Sequence, residues 1–111
     1  MIAIREYIDS NGRSPFSEWL DELNSPAAER VNTALYRLES GNFSNVKAVG
    51  AGVLECRIHF GPGYRVYFGK DGERLIILVG GGTKQRQSRD IERAIACWAD
   101  YRRGRKVKPW R

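Results

Sequence analysis

The run from Val53 to Phe68 limits the fold of this chain more than any other stretch. Leu54, Cys56, Ile58 and Phe60 alternate with Val53, Glu55, Arg57 and His59; Gly61-Pro62-Gly63 then interrupts, and Tyr64–Phe68 resumes the pattern. A two-residue period marks a strand, because successive side chains of an extended chain point to opposite faces. Two such segments around a glycine-rich break make a β-hairpin. A loop of Gly61, Pro62 and Gly63, with Gly63 in the left-handed position, pairs Phe60 with Tyr64, His59 with Arg65 and Arg57 with Tyr67. A loop shorter by one residue sets Arg65 beside Ile58, a charge on the core side, and is rejected on that ground. The expected hairpin has one apolar face and one exposed, largely polar face carrying Arg57, His59, Arg65 and Tyr67.

The flanking segments supply the remaining layers. Ile2–Tyr7 reads as a short strand. Ser14-Pro15 has the form of a helix cap followed by proline in the first turn, and Phe16, Trp19, Leu20 and Leu23 fall at helical spacing behind it. Ser25-Pro26 repeats the start signal, Val31, Ala34, Leu35 and Leu38 extend it, and Gly41-Asn42 stops the second helix, so the two helices form an αα-hairpin. Leu75–Val79 is continuously apolar, as in a strand covered on both faces. Gly80-Gly81-Gly82 leads from it into a last helix marked by Ile91, Ala94, Ile95 and Trp98. The order β-α-α-β-β-β-α defines an α+β fold: an antiparallel-rich sheet with an N-terminal αα-hairpin and a C-terminal helix. A single domain is expected over residues 1–103, with 104–111 a basic, flexible tail.

Hydrophobic residues make up 41% of the chain, which places it among folded domains rather than disordered segments. The net charge of +6 is concentrated at one end: residues 84–111 hold ten Lys/Arg against three Asp/Glu, and residues 1–83 hold nine against ten. Such asymmetry favours a polyanionic partner through long-range attraction and counterion release, the competing reading being a solvated tail. The opening residues lack the pattern of an export signal, and no apolar run is long enough to span a membrane, so a cytoplasmic location without membrane contact is expected. Cys56 and Cys97 stand apart, and His59, the only histidine, cannot complete a zinc site with them. Two reduced cysteines, no metal and no cofactor are the expectation.

Two guanidiniums, an imidazole and a phenol on one sheet face suit a phosphodiester, since guanidiniums neutralise phosphate oxygens and an imidazole moves protons near neutral pH. Arg57, His59 and Arg65 are the candidate catalytic residues for attack of a ribose 2′-hydroxyl on the adjacent phosphate, a step that needs a base, an acid and cations. Lys84, Arg86, Arg89 and Tyr67 are the candidate RNA- or phosphate-binding residues. The amides of Gly80-Gly81-Gly82-Thr83 and Lys84 can receive a phosphate at a helix start, or the glycines simply serve a close turn. A polar outer sheet face with one histidine is equally an ordinary surface, and Tyr64 and Tyr67 are more often packing residues than base platforms.

The stretch Val53-Leu54-Glu55-Cys56-Arg57-Ile58-His59-Phe60-Gly61-Pro62-Gly63-Tyr64-Arg65-Val66-Tyr67-Phe68, with Leu75–Val79, Gly80-Gly81-Gly82-Thr83-Lys84 and Ser88-Arg89-Asp90-Ile91, resembles the phage-derived, HigB-like branch of the RelE/ParE toxins, the addiction-module killer proteins. Trp19-Leu20 and Asn45-Val46-Lys47 fit the same branch, and the resemblance covers about residues 2–100. It implies the toxin of a bacterial type II toxin–antitoxin pair, neutralised by a cognate antitoxin with a helix-turn-helix domain and meeting DNA only through that complex. It also implies a metal-free endoribonuclease, an mRNA interferase that cleaves messenger RNA on the ribosome and inhibits translation. By that resemblance Arg65 takes the place of the sheet arginine at the scissile phosphate, Arg57 and His59 those of basic sheet residues, and Lys84 that of the basic residue before the last helix. The alternatives are a ParE-like DNA gyrase inhibitor that acts by protein binding and an inert relic that retains only antitoxin binding.

Overall fold

The computed structural model describes residues 1–110 of the chain. Among them are β1 (Ala3–Tyr7), α1 (Pro15–Asp21), α2 (Ser25–Glu39), β2 (Val46–Gly50), β3 (Val53–Ile58), β4 (Tyr64–Lys70), β5 (Leu75–Thr83), a 3-10 turn (Lys84–Arg86), α3 (Gln87–Arg102) and β6 (Val107–Pro109). The six strands form one sheet in the order β2-β3-β4-β5-β1-β6. Neighbours are antiparallel except β1 and β5, which run parallel, so the fold is α+β with a mixed sheet. The strand and helix order expected from the sequence is corrected by two additional strands, β2 and β6.

Both additions escape a period-of-two reading for physical reasons. In β2 the apolar residues Val46 and Val49 are three apart, so they fall on opposite faces, and the register shifts between Ala48 and Gly50. β6 occupies part of the expected flexible tail. Its exposed residues carry no apolar pattern, and what orders them is pairing with β1, Tyr7 opposite Val107 and Arg5 opposite Pro109, while Trp110 packs on the Tyr36 ring at 5.1 Å. Arg111, the end of that tail, lies outside the described residues.

Capping fixes where the helices begin. The Ser14 hydroxyl accepts the Ser17 amide at 3.1 Å and donates to the buried Glu6 carboxylate at 2.6 Å, tying the start of α1 to β1. α2 starts one residue before the proline, and Asn24 rather than Ser25 is its cap, accepting the Ala27 amide at 3.0 Å. α1 and α2 cover one face of the sheet: Phe16, Val31, Leu35 and Leu38 meet Ile4, Cys56, Ile58, Val66, Phe68, Ile76 and Leu78.

The other face is not solvent. α3 lies across it, and Ala94 and Trp98 pack with Tyr7, Val53, Tyr67, Ile77 and Val79 in a second apolar layer. The expectation of an exposed polar face is therefore corrected: Glu55 and Tyr67 are wholly buried and Arg65 is 7% exposed. The sheet glycines make room for this double cover. A Cβ at Gly69 would overlap the Trp98 ring, one at Gly81 the Trp19 ring and one at Gly82 the Asp90 carboxylate. Gly80-Gly81-Gly82 are accordingly strand residues, and β5 continues to Thr83 instead of turning after Val79. Cys56 and Cys97 sit in different apolar layers, on opposite sides of the sheet. No helix among the described residues is long and apolar enough to cross a membrane.

Candidate functional site

The β3–β4 hairpin sets the site, and its register differs from the sequence reading by two residues. Arg57 stands opposite Arg65 and Glu55 opposite Tyr67, so five residues, His59 to Gly63, form the loop. The loop closes through the Gly63 amide donating to the Phe60 carbonyl at 3.0 Å, with Gly61 at φ +56 and Gly63 at φ +81. Both angles lie where a side chain is strained, which explains a glycine on each side of Pro62. His59 is thereby removed from its expected place opposite Arg65 and lies exposed in the loop.

What occupies the centre is Glu55, a residue the sequence reading did not single out. Its buried carboxylate accepts Gln87 Nε2 at 2.7 Å, the Tyr67 hydroxyl at 3.1 Å and Arg57 Nε at 3.3 Å. Arg65 Nε lies 3.5 Å away, within charge attraction but outside hydrogen-bond geometry, and has no hydrogen-bond partner. A carboxylate this deep is tolerable because cations and donors surround it. The sequence did hold a signal: Glu55 and Arg57 are two apart on one strand face, with opposite charge. Gln87, from the first turn of α3, had none. Burial and the neighbouring Glu55 carboxylate hold the Tyr67 phenol far above its ordinary range, so it stays a protonated donor. Tyr67, expected to touch RNA, is fully buried and acts on Glu55 instead.

The cluster meets the surface at Gly63. The Lys84 amide donates to the Gly63 carbonyl at 2.9 Å, pinning the 3-10 turn to the hairpin loop. A Cβ at Gly63 would lie 3.5 Å from Arg65 Nη1 and 3.7 Å from Lys84 Cβ, so this glycine sits between the Arg65 guanidinium and the base of the Lys84 side chain. Lys84, Arg86 and Arg89 are exposed along the turn and the start of α3, and none forms an ion pair among the described residues. Asp90 follows them. Burial raises its carboxyl against the opposing pull of Arg86, Arg93 and Arg89. The arrangement thus brings Arg57, Arg65 and Lys84 to one end of the sheet, continues them in Arg86 and Arg89, and leaves His59 on the outside of the same loop. Chemically it offers fixed positive charge backed by one buried carboxylate.

Fold and site together define a small basic α+β protein with an acid-centred arginine cluster under a glycine-proline hairpin loop. No protein-family model matches the chain. An uncharacterized protein of Haemophilus influenzae is 42% identical to it over 80 residues, which cover 71% of this chain and 81% of that protein. The chain belongs to the family of that protein.

Proposed function

We propose that this chain is the toxin of a bacterial type II toxin–antitoxin pair, of the RelE/ParE type and fold, acting in the cytoplasm as a metal-independent, ribosome-dependent mRNA endoribonuclease. The observation that carries this reading is the gathering of Arg57, Arg65 and Lys84 around the Gly63 loop, with Arg86 and Arg89 extending an unpaired cationic rim. A phosphodiester laid on that rim meets Arg57 and Lys84 directly, while Arg65, held beneath by Glu55, contributes its field. Attack of the 2′-hydroxyl oxygen on the adjacent phosphorus forms an O–P bond and breaks the bond to the 5′-oxygen, leaving a 2′,3′-cyclic phosphate. The 2′-hydroxyl loses its proton and the departing 5′-oxygen gains one, and His59, the chain's one imidazole, is the proton-transfer group at this end of the hairpin. Glu55 and Tyr67 are positioning residues. The partners in this reading are the ribosome, messenger RNA and a cognate helix-turn-helix antitoxin.

One observation favours a second reading, a ParE-like gyrase inhibitor that works by contact alone: the proton-transfer candidate is not opposite Arg65, and Arg65 itself is buried. Expression of the chain alone in a bacterium, with mapping of new RNA 5′ ends and a parallel supercoiling assay, separates the two. New ends without loss of supercoiling are expected. Arg57→Ala should then reduce cleavage by roughly 10²–10³-fold in single turnover on purified ribosomes, the range for losing one preorganised donor. Intact RNA together with lost supercoiling would replace the nuclease by the gyrase inhibitor.

A further inference from the structure

On the other side of the sheet from the Glu55 cluster, the α2 layer and the end of β3 enclose a cavity of about 320 Å³. Arg30 and Arg37 of α2 line it, seven residues apart and so two turns along one helix face, with Thr33 between them. Asn42 and Asn45 of the α2–β2 loop line it as well, with Arg57 and His59 from the end of β3 and the loop after it. No carboxylate is among the lining residues, and neither Arg30 nor Arg37 forms an ion pair among the described residues. The Arg30 guanidinium instead lies over the Phe60 ring, 4.6 Å from its centroid, a contact that fixes its position while leaving its N–H groups in the ring plane's periphery free to donate. Asn42 presents a donor too: its Oδ1 is engaged by the Ser44 amide at 3.0 Å, which leaves the amide nitrogen for a ligand. The floor is apolar, formed by Cys56 and Ile58. A concave site with an apolar floor, two uncompensated guanidiniums and amide and hydroxyl donors is complementary to a tetrahedral dianion.

We propose that this cavity is a phosphate-binding site, adjoining the Gly63 rim through Arg57 and His59, that takes the phosphate of a nucleotide with Arg30 and Arg37 as its two cationic arms. The cavity opens on the α2 side of the sheet, whereas Glu55, Arg65 and Tyr67 face α3; Arg57 and His59 of the proposed nuclease site also line it, so the two sites adjoin at the end of β3 and are told apart by Arg30 and Arg37, which belong to the cavity alone. The same chemistry is presented by a free mononucleotide and by a phosphate within an RNA strand, and the cavity size admits either a terminal phosphate with its ribose or a bent strand.

The test is NMR titration of the full chain, following the Arg Nε and His ring signals, with adenosine 5′-monophosphate in one arm and a short oligouridylate in the other. Saturable shifts at Arg30, Arg37 and His59 are expected in at least one arm, and the arm that saturates first identifies the source. Arg30→Gln with Arg37→Gln should weaken that binding at least about tenfold, because each change removes a charge-assisted donor. Arg74→Gln, in the exposed turn between β4 and β5 and outside both the cavity and the Gly63 rim, should leave it unchanged. Both arginines are exposed, so the double variant should retain its circular dichroism and melting temperature. Shifts absent from these three residues in both arms, or binding by the folded Arg30/Arg37 variant equal to that of the parent, would overturn the proposal.

Discussion

Replacing Glu55 by glutamine tests the centre of the site with the smallest change of shape. The carboxylate is completely buried and stands beside the buried Arg65 and the half-buried Arg57, so the substitution leaves one guanidinium in the interior with no counter-charge. Removing one partner of a buried pair costs about 3–5 kcal/mol. Glutamine keeps an oxygen that can accept from Tyr67 or Gln87, which puts the expected loss near the lower bound, about 3 kcal/mol, against a total stability of about 5–15 kcal/mol for a domain. For a chain of this size that lowers Tm by roughly 12 °C or more.

A double-mutant cycle locates the effect. Pairing Glu55→Leu with Arg65→Met removes both charges, and the double variant should recover roughly 2–3 kcal/mol relative to the sum of the single changes. The same cycle with Arg57→Gln should give no more than about 1 kcal/mol, because the Arg57 side chain is 39% exposed and water screens its charge. Thermal and urea melts of the parent and these six variants measure all of these. A Tm drop of less than about 4 °C for Glu55→Gln, or equal coupling to the two arginines, refutes the claim that Glu55 holds Arg65 in a desolvated pair.

Gly81→Ala should lose about 1–3 kcal/mol in urea melts because the new methyl meets the rigid Trp19 ring, whereas Gly80→Ala, with open space at that position, should melt within about 0.5 kcal/mol of the parent. Asp100 is held below the ordinary carboxylate range by the Tyr7 hydroxyl, helped by Arg105 and Arg103; its stabilisation is therefore present above about pH 4 and lost as pH falls through the folded value, so Asp100→Asn should flatten the acid limb of a stability–pH curve below about pH 4. Burial pushes the Cys56 thiol up to about 11 despite the pull of Arg37, so at pH 8 the folded protein should resist a thiol reagent at Cys56 while the urea-unfolded chain reacts, as peptide mapping of the adduct would show.

The elements with strong periodicity were legible in the sequence. The stripes of α1 and α2, the alternation of β3 and β4 and the apolar run of β5 appear where the pattern puts them, because each buries a continuous face. β2 and β6 were not, since edge strands are held by backbone pairing and need no apolar stripe. The cover over the second sheet face was hidden for a related reason. Ile91, Ala94, Ile95 and Trp98 announce a helix with one apolar side, but nothing local says which face of the sheet it takes, and that choice converts Arg65 and Tyr67 from surface to interior.

The site itself turns on a distinction between parity and register. A slip of one residue in a hairpin exchanges the two faces, so the hydrophobic pattern forbids it. A slip of two keeps every side chain on its own face and is invisible to that pattern; only the loop decides. Here the loop is longer by two residues than the shortest one the glycines allow, because Gly61 and Gly63 both take positive φ and the Gly63 carbonyl is drawn to the Lys84 amide. Arg57, Arg65 and Tyr67 therefore share a face, as the alternation requires, but each meets a different partner: Arg57 replaces His59 opposite Arg65, and Glu55 replaces Arg57 opposite Tyr67. That two-residue step puts a carboxylate at the centre of the cationic cluster and carries the imidazole out to the lining of the α2 cavity, so the chain's two concentrations of positive charge lie on opposite sides of one sheet and meet at the end of β3.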